Sequence, residues 1–151
     1  MSDKTLEVYK ALREGQNKYT YFLLAAAGAA IALTINQTQA AKLSWSQIPL
    51  AISVICWALS FFFGCRHLAY INSILYANGE LLDVESGNHP EVGSHPQMIK
   101  TASEGIQISI KTNSNHANNF GHLQFRVLIL GAFFYMGWHI LEMYLRGIIK
   151  P

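Results

Sequence analysis

Apolar residues along this chain gather into three long runs, and after the second run the pattern changes from continuous to periodic. The first run, residues 19–39, centres on YFLLAAAGAAIALTI. The second, residues 48–65, reads IPLAISVICWALSFFFGC, and the third, residues 125–145, reads FRVLILGAFFYMGWHILEMYL. Each approaches the roughly 20 predominantly apolar residues that a helix needs to cross the hydrocarbon of a bilayer. Backbone groups in hydrocarbon must satisfy one another, so the runs predict helices. The expected fold is an all-α integral membrane protein with three transmembrane helices, in which a cytoplasmic helical hairpin extends from spans two and three.

The second run has no stop signal at Gly64–Arg66. Beyond it, Leu68, Ile71, Leu75, Asn78 and Leu82 repeat at intervals of three and four, beside a parallel stripe of Tyr70, Ile74 and Leu81. That spacing is helical, so the second span is expected to continue as one helix to about Asp83. Its apolar stripe needs a cover in water: later residues of the chain, a second copy, or a cytoplasmic partner. Asn78 at a core-type position is the sort of residue that fixes register in a coiled coil, although only two heptads are visible. The segment VESGNHPEVGSHPQ (loop expected over 84–96) carries the Pro and Gly of a chain reversal. A return segment follows over 97–122, in which Ile99, Ala102, Ile106 and Ile110 fit a helix, while Ile106, Ile108 and Ile110 also alternate as in a strand. Residues 1–18 form an amphipathic candidate with Leu6, Val8, Tyr9 and Leu12 on one side and Gly15 suited to a helix end.

Charge then orients the spans. With the N-terminus inside, Lys4, Lys10, Arg13, Lys18, Arg66, Lys100, Lys111 and Arg126 are cytoplasmic, against Lys42, Arg146 and Lys150 outside. This bias matches the positive-inside rule and predicts a multi-pass protein of a bacterial inner membrane with a cytoplasmic N-terminus and an external C-terminus. A signal peptide is the rival explanation of the first run, but Asp3, Glu7 and Glu14 make a poor basic leader. Only 13% of the residues are charged, against about 25% in a typical soluble domain. No concentrated basic face exists for nucleic acid. Cys56 and Cys65, nine residues apart on one helix, point to opposite sides and cannot pair.

Candidate chemistry is sparse. Ala25, Gly28, Ala29 and Ala32 in the first span, with Gly64 and Gly131 in the others, are small residues that let helices approach closely; they predict helix packing and a homo-oligomer. Ser53 and Ser60 share one face of the second span, and His139 and Glu142 lie three apart near the outer end of the third. These four are the candidate pore or intramembrane polar residues. Arg66 and Arg126 are placed at the inner boundary, within reach of lipid headgroups. His67 and His122, at the cytoplasmic ends of spans two and three, are the only pair in reach of a metal or haem, without a supporting motif; no cofactor is expected. None of the phosphate-loop, zinc-protease, C-x-x-C or G-x-S-x-G patterns occurs, so the chain is not expected to be an enzyme. The functions that remain are a pore-like or membrane-perturbing effector gated by its cytoplasmic hairpin, a membrane anchor or adaptor for a cytoplasmic partner, and a haem- or metal-binding membrane protein.

Overall fold

The computed structural model of the protein describes residues 3–39 and 44–149. Every regular element among them is helical: α1 (Asp3–Thr38), a single 3-10 turn (Trp45–Gln47), α2 (Ile48–Glu85) and α3 (Pro96–Ile149). All three long helices have the length and apolar composition to cross a membrane, as in a multi-pass membrane protein.

The helices are longer than the sequence pattern divides them. α1 passes through Gly15 instead of ending there. A helical glycine costs only about 1 kcal/mol relative to alanine, and the adjoining turn carries a Glu14–Lys18 pair at 2.8 Å. The side chains of Leu6, Val8, Tyr9 and Leu12 lie outside the described residues, as do residues 40–43 of the expected external turn.

α2 runs without interruption through Cys65–His67 to Glu85. It opens with Pro49 in its first turn, where a missing N–H is tolerated. Its end is a left-handed cap. Gly87 has φ +73°, its N–H donates to Val84 O at 3.0 Å, and Asn88 N–H donates to Asp83 O at 3.1 Å. This pair of bonds satisfies the last carbonyls of the helix. α3 then starts at Pro96, with Ile99 N–H reaching His95 O at 3.0 Å.

The polar, Asn-rich run TNSNHANNFGH, a weak helix former by composition, sits inside the 54-residue α3. Asparagine gives up well under about 1 kcal/mol per site in a helix, and Ala117 is buried within this run. No strand occurs among the described residues. Ile106 and Ile110, four apart, are half-buried, whereas Ile108 is 68% exposed, which is helical and not alternating burial.

The chain forms two compact units: one made by the chain up to Gly64 together with the chain from His122 onward, the other by Cys65–Gly121. In the first unit the interior is small and polar. Ala27, Thr20, Thr34, Ser53, Ser60 and Gln124 are buried, beside Leu23, Leu50, Cys56 and Trp57. Its outer surface carries the large apolar residues, among them Phe22, Ile55, Phe62, Phe133 and Ile140. A water-soluble bundle has the opposite arrangement.

In the second unit, Tyr70 of α2 stacks on His116 and Phe120 of α3, and along the same stripe Ile74 and Leu81 are half-buried and Val84 is buried. The inward stripe is therefore the parallel one. Leu68 and Ile71 are half-buried, whereas Leu75, Asn78 and Leu82 are exposed. Asn78 uses its Nδ2 to donate to Ile74 O of its own helix at 2.8 Å. It thus has no register-fixing partner on α3.

Candidate functional site

The hydroxyls expected to line a pore are used inside the first unit. Ser53 Oγ donates to Leu50 O at 2.7 Å, and Ser60 Oγ crosses to α3 and donates to Gln124 O at 2.9 Å. Both residues are fully buried. The face of α2 that carries them also carries Trp57 and Gly64, and this face is covered by α1 and α3. A Cβ at Gly64 would lie 2.5 Å from Gln124 Nε2 and 2.7 Å from Leu24 Cδ2. One at Gly131 would lie 2.6 Å from Trp57 Nε1 and 3.1 Å from Ser53 O. Gly64 and Gly131 thus serve close packing within the chain.

α1 differs. Gly28 has nothing within 4 Å of where a Cβ would stand, and Ala25, Ala29 and Ala32 are exposed. This small-residue face is uncovered among the described residues.

Gln124 is a member of the site that the sequence pattern does not flag. It is 1% exposed, and its Nε2 has no hydrogen-bond partner. Its backbone carbonyl, not its amide, receives Ser60. An uncompensated amide in such surroundings is costly. The usable signal was its place as a lone amide beside the first residues of the third apolar run.

His139 and Glu142 do come together, on the wall of a cavity of about 250 Å³ that is also lined by Gln37, Trp138, Met143 and Arg146. Glu142 is the hub. Its Oε1 accepts from Ser46 Oγ at 3.0 Å, and its Oε2 faces Arg146 Nε at 3.5 Å. Next to it, Tyr135 Oη donates to Gln37 Oε1 at 2.7 Å. The 3-10 turn before α2, the end of α1 and the last turns of α3 thus converge on one polar cluster.

In the second unit, His67 Nδ1 lies 2.7 Å from Ala117 O. A carbonyl only accepts, so Nδ1 carries the hydrogen. The close approach needs Gly121, where a Cβ would lie 3.3 Å from this ring. His122 belongs to the first unit and is exposed. Among the described residues no group of three or more His, Cys, Asp or Glu is placed to hold a metal. A shallow depression of about 500 Å³ is lined by Val92, His95, Gln97, Met98, Thr101 and Ala102. Large apolar side chains stand exposed at its rim (Met98), farther along α3 (Ile108) and on α2 (Tyr76 and Leu82).

No protein-family model matches this chain, and neither a curated protein nor a solved structure matches it.

Proposed function

We propose that the protein is a non-catalytic, multi-pass membrane anchor that self-associates through α1 and presents Cys65–Gly121 to the cytoplasm as a helical hairpin that docks a soluble protein. The membrane half is supported by the inverted arrangement of the first unit, with small and polar residues inside and large apolar ones outside. The Lys/Arg bias supports a cytoplasmic N-terminus and hairpin in a membrane such as the bacterial inner membrane.

One observation carries the docking half: Tyr76 and Leu82 are 73% and 68% exposed on the half of α2 that follows its apolar run. Exposed apolar surface of this kind marks contacts. Asp83 and Glu85 are exposed close to Leu82 on the same helix, and no Lys or Arg occurs between Arg66 and Lys100. The partner this fits is a protein that offers apolar residues flanked by Lys or Arg. A photo-crosslinking residue at Leu82, in the full chain in cells, is expected to trap one soluble protein, and Asp83→Lys is expected to abolish the adduct. Adducts confined to lipid or to a second copy would refute docking.

A pore-like effector is the second reading, favoured by the Gln37–His139–Glu142–Arg146 cavity alone. The burial of Ser53 and Ser60 within the chain weighs against two of its four lining candidates. Ion flux from liposomes that carry the protein, lost on Glu142→Gln, would revive it.

A further inference from the structure

Two long stretches of the sequence lack acidic residues: none lies between Glu14 and Glu80, and none between Glu104 and Glu142. Arg66 stands in the first stretch, and the part of α3 packed beside it stands in the second. Along α2 the nearest carboxylate, on Glu80, is about 21 Å away at ~1.5 Å per residue. A guanidinium keeps its charge at any working pH, so the charge of Arg66 has no counter-charge on its own helix within reach.

The group is nonetheless held in place. Its Cζ lies 5.1 Å from the centre of the Tyr70 ring and 5.9 Å from that of Phe120, and its Nη2 donates to Tyr70 Oη at 3.1 Å. Tyr70 is itself fixed by stacking on Phe120, at 5.6 Å and 14° between planes, and on His116, at 5.2 Å and 21°. Aromatic faces stabilise the cation while leaving most of its N–H donors free, and Arg66 is exposed. An oriented, uncompensated guanidinium matches a phosphate in both charge and fork geometry.

We propose that Arg66, on its Tyr70–Phe120 seat, binds the phosphodiester of an anionic lipid headgroup. This rests on the membrane reading, since Arg66 follows directly on the apolar run that ends at Gly64–Cys65. A single exposed cation holds a free ion poorly against salt, whereas headgroups are already concentrated at the end of a span.

The test is native mass spectrometry of the full chain with phosphatidylglycerol and phosphatidylcholine. Wild type is expected to keep one phosphatidylglycerol through steps that strip phosphatidylcholine. Arg66→Gln is expected to lose this preference about five-fold or more, the scale of one basic residue at an anionic surface. Tyr70→Leu leaves every charge unchanged and is expected to weaken the preference as well; Arg66→Lys, without the fork, falls between. Equal retention by wild type and Arg66→Gln overturns the proposal, as does full displacement of the lipid by millimolar inorganic phosphate, which would make the ligand the free ion. Flotation on neutral vesicles separates the two layers of the argument. A chain that fails to float overturns the membrane reading and this proposal together. A chain that floats without any preference for phosphatidylglycerol overturns the proposal alone.

Discussion

Gly131→Ala and Gly28→Ala make the same chemical change on two apolar helices, and the packing predicts opposite signs. Each replacement gains about 1 kcal/mol of helix propensity. At Gly28 no atom of the same chain lies within 4 Å of the new methyl, so nothing opposes the gain in the monomer, whereas self-association through α1 would be weakened. At Gly131 the methyl would stand 2.6 Å from Trp57 Nε1, 2.7 Å from Trp57 Cδ1 and 3.1 Å from Ser53 O. Trp57 is buried and lies against Tyr135, ring centres 5.6 Å apart and tilted at 46°, and the Ser53 oxygen is backbone, so neither neighbour yields freely. Overpacking of this kind costs typically 1–3 kcal/mol, about 2 here. The net expectation is a loss of about 1 kcal/mol for Gly131→Ala and a gain of up to about 1 kcal/mol for Gly28→Ala. For a chain of this size, 1 kcal/mol moves the Tm by about 2–4 °C. Thermal unfolding of the full chain as a monomer, diluted in mild detergent, followed by far-UV circular dichroism and tryptophan fluorescence, reads both. Shifts of the same sign and size for the two variants would refute the packing assigned to α2 and α3.

Three further outcomes follow from the same geometry. Gln124→Met keeps the backbone carbonyl that receives Ser60 and removes an unpartnered buried amide, so it is expected to raise stability by about 1 kcal/mol; a drop of that size in thermal unfolding would mean that the amide has a partner. Val84→Asp places a charge at a position 1% exposed and is expected to unfold the second unit, whereas Leu82→Asp, at 68% exposure, is expected to stay within about 0.5 kcal/mol of wild type; limited proteolysis of the loop 86–95 distinguishes them. Gly87→Ala forces a methyl onto a φ of +73° and is expected to cost about 1 kcal/mol, read as faster amide exchange in the last turn of α2.

Long-range apolar content was legible in the sequence because it is additive: three runs of sufficient length gave three helices, and Cys65–His67 offered no Pro or Gly cluster to break the second. The helix ends were less legible. Gly15 looked like a terminus, but a glycine ends a helix only when the chain adopts positive φ there, as it does at Gly87. Which of two adjacent apolar stripes turns inward was not decidable from spacing, since both Leu68–Leu82 and Tyr70–Leu81 are helical. The choice depends on what α3 offers, namely His116, Ala117 and Phe120 against His67 and Tyr70. The polar residues divided in the same way. Spacing placed His139 and Glu142 on one wall. It gave no sign of Ser46 or Gln37, which come from other elements, nor of Tyr135, two turns earlier on the same helix, nor of a glutamine whose amide nitrogen would end up without a partner.

The proposed topology puts the connection before α2 outside the membrane and the loop after α2 inside. With Cys56 and Cys65 replaced by alanine, Ser86→Cys in the loop after α2 and Ser44→Cys before it should be tested with a membrane-impermeant thiol reagent on intact bacterial cells. The expected result is labelling of Ser44→Cys from outside, and of Ser86→Cys only after the membrane is permeabilised. Labelling of Ser86→Cys in intact cells with Ser44→Cys protected, or recovery of the chain in the soluble fraction, would contradict it.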